Sequence, residues 1–115
     1  MAITEHASGT QTVSTTEWSL TTSTAGPDVD ATDGVFQAWL DLSALAAGDL
    51  FEFRVYEKVI SGGTQRLVYT VPFANAQGSP HWVSPSLILM HGWDFTIIKI
   101  SGTNRSINYS VRKIA

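Results

Sequence analysis

Cysteine is absent from this chain of 115 residues. That excludes a disulfide framework, a thiol nucleophile and any zinc site built on Cys. Long apolar runs are missing too. The longest, Leu87 to Met90, falls far short of the roughly 20 residues that span a bilayer. No membrane is therefore expected as a partner. The opening MAITEHASGT has neither a basic n-region nor an apolar core, so the expectation is a chain made in the cytoplasm without a signal peptide. Charge is scarce: 15% of residues carry it, against roughly 25% in an average domain. The seven Lys and Arg are scattered along the chain and the net charge is −3. A nucleic-acid partner is not expected from such a distribution. Helical periodicity is also lacking, since no window places apolar residues at i, i+3, i+4 and i+7 over three turns.

What is present is alternation. VFQAWLDL (Val35 to Leu42) sets Phe36, Ala38, Leu40 and Leu42 on one face, and a period of two is a strand. LFEFRVYEKV (Leu50 to Val59) sets Phe51, Phe53, Val55, Glu57 and Val59 together. WDFTIIKI sets Trp93, Phe95 and Ile97 against Asp94, Thr96 and Ile98, and the last strand carries Ile107, Tyr109 and Val111 on one face. Leu67, Tyr69, Val71 and Phe73 form another face, with Pro72 marking a stop or a sheet edge. His81 to Ser84 is a short strand broken by Pro85, and Leu87 to Met90 reads as a strand buried on both faces. Ser23 to Gly34 is the clearest loop, and Ser43 to Asp49 a single turn with Ser43 as its cap. The first ten residues read as an arm (residues 1–10), followed by one domain (residues 11–115). About eight short strands without a helix predict an all-β fold, an antiparallel β-sandwich or barrel.

Two stretches read alike: ISGGTQRLVYTV from Ile60 and ISGTNRSINYSV from Ile100. The likeness extends upstream, where Phe51-Glu52-Phe53 corresponds to Trp93-Asp94-Phe95. The pattern is an aromatic-acid-aromatic strand, a glycine reversal and a return strand, so it reads as one hairpin written twice. Either two hairpins converged under the same demands or they are related; both explanations concern the fold.

Residues able to carry chemistry are few. His6, His81 and His91 stand at no metal-ligand spacing. DVDATDG places Asp28, Asp30 and Asp33 in one loop in the manner of a Ca²⁺ loop, but Trp39 stands at its twelfth position where an EF-hand needs an acid. A solvated turn is the favoured reading of it. No nucleophile elbow, P-loop, dinucleotide fingerprint or HExxH occurs, so neither enzyme activity nor a cofactor is expected. Of the four tryptophans, Trp39 lies on the less apolar face of its strand and is the first candidate to meet a partner, whether a sugar or another subunit. Trp82 is the second.

The spans TDGVFQAWLDLSALAAGDLFEFRVYEKVISGGTQR and WVSPSLILMHGWDFTIIKISGTNRSINYSVRKIA, with the opening MAITEHASGT, resemble a group of small proteins of tailed bacteriophages. The resemblance covers nearly the whole chain and lies in strand and turn residues. It implies a virion structural protein with a jelly-roll-like sandwich that decorates or cements the capsid exterior. The implied partners are the major capsid protein and further copies of the chain, as a trimer or dimer, with assembly in the host cytoplasm. In that setting Thr4, Glu5 and His6 of the arm, together with Asp28, Asp30 and Asp33 of the loop, are candidate contacts, and removal of residues 1–10 is expected to leave the fold intact. The alternative is a carbohydrate-binding or host-adhesion module of a head or tail fibre, using Trp39 and Trp82 on a glycan. An accessory domain of an enzyme is a third reading.

Overall fold

In the computed structural model of the chain, which describes residues 2–114, the alternating segments become ten β-strands. They are β1 (Ile3–Val13), β2 (Trp18–Ser19), β3 (Thr24–Ala25), β4 (Gly34–Asp41), β5 (Leu50–Glu57), β6 (Arg66–Ala74), β7 (His81–Val83), β8 (Leu87–Leu89), β9 (Asp94–Ser101) and β10 (Arg105–Ile114). No helix occurs among the described residues. The first sheet runs β1-β10-β4-β7, with β8 also pairing β4, and the second runs β3-β2-β9-β5-β6. Every pairing is antiparallel. The chain passes repeatedly between the sheets, giving a jelly-roll-like β-sandwich.

The core is the set of side chains that alternation turns inward. Phe36, Ala38 and Leu40 of β4, Phe51, Phe53 and Val55 of β5, Phe95 and Ile97 of β9, and Ile107, Tyr109 and Val111 of β10 are all buried, as are Leu42 and Trp93 just outside their strands. Phe36 and Trp93 meet with centroids 4.3 Å apart, and Trp93 and Phe95 at 5.1 Å. Each such side chain contributes about 1.5–3 kcal/mol when fully buried, and with no disulfide available this apolar contact holds the two sheets together.

Four expectations change. The arm is a strand: residues 3–13 of β1 pair with β10 from Ile3↔Ile114 to Val13↔Arg105. Its side chains alternate too little in hydropathy to signal this, because an edge strand is held by backbone hydrogen bonds as much as by burial. Met1, the first residue of that arm, lies outside the described residues. The second Ile-Ser-Gly turn does not make a hairpin. β5 and β6 pair with each other, but β9 belongs to the second sheet and β10 to the first. The turn between β9 and β10 is a corner that changes sheets. There Gly102, at φ 96°, presses against Asp49, so close that a Cβ would stand 2.3 Å from Asp49 Oδ1. Asp49 fastens the corner by accepting from Thr103 N (3.0 Å), Arg105 Nε (2.7 Å) and Ala46 N (2.9 Å). These backbone and guanidinium donors pull its carboxyl down to about 2.

The run Leu87 to Met90 is not buried on both faces. Leu89 is buried and Ile88 is 82% exposed, because β8 pairs the edge of β4 and alternation sets Ile88 on the outer face beside Val35. Finally, the turn after β4 is capped by Asp41, whose Oδ1 accepts from Ser43 N at 3.0 Å; Ser43 is not the cap.

Candidate functional site

The outer face of the first sheet is built by register. Directly opposed residues of antiparallel strands point to the same side, so the pairing gives cross-strand rows. At one end, Ile3 faces Ile114, Ile114 faces Val35, and Val35 faces Ile88: an aliphatic row across four strands. Ile3 is 69% exposed. The next row is Glu5, Arg112 and Gln37, extended by Ser86, whose Oγ accepts from Gln37 Nε2 at 3.1 Å. Then come Ser8, Ser110, Trp39 and Val83, and last Thr10, Asn108, Asp41 and His81. The face is apolar at one end and polar at the other.

Trp39 sits between two hollows on this face. The Arg112 guanidinium lies 4.3 Å from its ring centroid, a cation–π stack. One hollow, of about 260 Å³, is lined by Trp39, Asp41, His81, Asn108 and Arg112 among others. The second, of about 200 Å³, lies on the aliphatic side against Ile3, Val35 and Ile114. The Trp39 Nε1 is buried and has no hydrogen-bond partner among the described residues. Asp41 holds a lowered pKa, first through the hydroxyl and N–H of Ser43 and then through His81, whose Nε2 is 3.6 Å away.

Trp82 is placed differently. It pairs with Leu40, a core residue, and so turns inward. Its ring packs on Phe53 at 5.0 Å and Phe73 at 5.1 Å, closing one side of the sandwich. It offers no free platform for a sugar ring.

Asp28, Asp30 and Asp33 do not converge. Asp28 accepts from the hydroxyls of Thr22 and Thr24. Asp30 accepts from His6 Nε2 at 2.7 Å and from Thr32 N at 2.9 Å. Its burial raises the carboxyl pKa, but these hydrogen bonds outweigh that and leave it lowered. Asp33 is exposed. No group of three or more acids and histidines able to hold a metal occurs among the described residues.

Of Thr4, Glu5 and His6, the first two are paired with Lys113 and Arg112 in the sheet. Glu5 Oε2 accepts from Ser110 Oγ at 2.8 Å. His6 sits at a bulge in β1 and has no partner in the register. Its ring turns onto Phe36 and Trp93, so it ties β1 to Asp30 and is not offered outward.

Along β9 the outer face of the second sheet is covered by the segment around β2. Asp94 is fully buried there. Its Oδ1 accepts from Ser19 Oγ (3.0 Å), Thr21 Oγ1 (2.7 Å) and Phe95 N (2.9 Å), and its Oδ2 accepts from Asp28 N (2.8 Å). Burial pushes its pKa up to about 6, against the pull of these donors. Beside it, Glu17 accepts from Tyr56, Thr96 and Arg54. Sequence reading missed both clusters, because an acid between two core aromatics looks like an ordinary outward residue. Its hydroxyl partner Ser19 lies 75 residues away in the chain.

No family model, curated protein or solved structure matches the chain.

Proposed function

We propose that this protein is a non-enzymatic virion structural protein that decorates or cements the exterior of a phage capsid, seated as an oligomer on the major capsid protein. The observation that carries this reading is the outer face of the first sheet, where an aliphatic row runs from exposed Ile3 through half-buried Ile114 and Val35 to exposed Ile88. A row of that kind is what a chain keeps when it is meant to lie against another protein. The scarcity of charge and the resemblance of the strand and turn segments to small phage proteins support the same reading. Quantitative mass spectrometry of purified virions tests it. A copy number equal to the major capsid protein, or a simple lattice fraction of it, is expected. Complete absence from virions overturns it.

The adhesion reading has one observation in its favour, the hollow beside Trp39 with Asp41, His81 and Asn108 on its wall. It ranks second because Arg112 already occupies the Trp39 ring face that a sugar would need. On this reading Asp41→Ala and Asn108→Ala abolish binding on a glycan array without unfolding the protein; an array with no hits for the parent chain rejects it.

A further inference from the structure

The open face of the first sheet carries enough pattern to name its occupant. We infer that it is a second copy of this chain, docked face to face about a two-fold axis that runs parallel to the strands between β10 and β4. This deepens the structural reading above and rests on it.

The inference comes from applying the symmetry to the rows. An axis along the strands leaves each row at its own level and reverses the strand order. Ile3 then meets Ile88 of the second copy and Ile114 meets Val35, so the aliphatic row lies on itself. In the next row Glu5 meets Ser86 and Arg112 meets Gln37. Further along, Ser8 meets Val83 and Ser110 meets Trp39, then Asn108 meets Asp41 and Thr10 meets His81. No like charges face one another, and the acid of the last row is given an amide donor. The other in-plane axis, across the strands, fails. It lays the aliphatic row on Thr10, Asn108, Asp41 and His81, burying polar groups against hydrocarbon. On the second sheet the segment carrying Ser19, Thr21 and Asp28 already covers Asp94, and the exposed apolar side chains Leu67 and Val68 are confined to its edge strand β6.

The area also decides what kind of association this is. The paired stretch of β4, Val35 to Asp41, taken across four strands, gives a face of roughly 450 Å² per copy at about 3.3 Å per residue and 4.8 Å per strand. A pair covers roughly 900 Å², below the roughly 1,200 Å² of stable specific interfaces and in the range of weak, transient ones. Aligned sheet packing, with strands crossing at about 30°, accommodates it. The dimer is therefore reversible and concentration-dependent in free solution.

The cysteine-free chain makes the arrangement directly testable. Ile3 and Ile88 lie on the two outermost strands, about 14 Å apart within one copy at the usual strand spacing, too far for an internal disulfide. In the dimer they face each other. Mild oxidation of the I3C/I88C double variant is expected to give a covalent dimer, whereas I3C alone gives none above collisional background. Sedimentation velocity of the parent chain is expected to show mass rising with concentration toward twice 12.5 kDa. Ile88→Glu, at an exposed position that leaves the fold untouched, is expected to weaken association at least about tenfold by placing a carboxylate in the aliphatic row. A monomer at every concentration up to about 1 mM, self-association indifferent to Ile88→Glu, or equal crosslinking of I3C alone each overturns the pairing. The virion copy number is independent of these results. A monomeric chain still found at lattice stoichiometry removes the pairing and spares the coat reading; a dimer missing from virions does the reverse.

Discussion

Replacing Asp94 with Asn should flatten the pH dependence of stability over one particular window. Asp94 is buried beneath the segment it holds, and burial raises its pKa from 3.8 to about 6. The folded state therefore binds this proton more tightly than the unfolded chain does. Between those two values the folded protein holds a proton that the unfolded chain has lost, so stability falls as pH rises through the window and levels off above it. At about 1.4 kcal/mol per unit, the loss is about 3 kcal/mol. The protonated carboxyl remains satisfied because the hydroxyls of Ser19 and Thr21 can turn to accept from it. Below the window the sign reverses. Asp30 and Asp49, both lowered, contribute stability above their unfolded value that is lost as the pH falls through their folded ones. Urea unfolding followed by tryptophan fluorescence, at half-unit steps from pH 4 to 8, gives the profile for both proteins. The slope is the readout. The absolute stability of Asp94→Asn is not, because the amide nitrogen turns a donor toward one of the N–H groups that the carboxylate accepted from. A parent profile that is flat across the window, or an unchanged slope in the variant, refutes the reasoning.

Three further outcomes follow from the geometry. Gly62→Ala and Gly102→Ala should differ although both glycines sit at matching places in the Ile-Ser-Gly repeat. Both have positive φ, but the space at Gly62 is open while Gly102 abuts Asp49; the first should cost about 1 kcal/mol and the second at least about 2, measured by denaturant midpoint. Trp82→Ala should destabilise by about 3 kcal/mol through the void left beside Phe53 and Phe73, and a neutral result would return Trp82 to the surface. Removing residues 1–10 should lower the melting temperature sharply, since it strips β10 of its neighbour over most of its length; an unchanged transition would show that β1 is dispensable.

The sequence made the inward faces of β4, β5 and β10 legible because in each the period-two signal and the burial agree: Phe36, Ala38 and Leu40, then Phe51, Phe53 and Val55, then Ile107, Tyr109 and Val111. It hid whatever depends on distant segments. Asp94 and Thr96 look outward by alternation and are nonetheless buried, because residues near Ser19 fold over them. The two Ile-Ser-Gly turns share residues that reverse a chain, and nothing local distinguishes a hairpin from a corner between sheets. Trp39 and Trp82 differ by register alone: one is opposed to Ser110 and Val83, the other to Leu40. The aliphatic row is invisible along the chain, since Ile3, Val35, Ile88 and Ile114 come from four separate strands and only their pairing assembles it.

The pairing of β1 with β10 governs the order of folding. Ile3 waits for Ile114, and β4 also depends on β10 for one of its two edges. Until residues 105–114 have been synthesised, β1 has no partner and β4 has only the short strands β7 and β8 on one edge. Closing so long a loop makes the fold slow relative to its size. Through that interval the nascent chain is exposed to aggregation, and the few charges it carries give that state little protection.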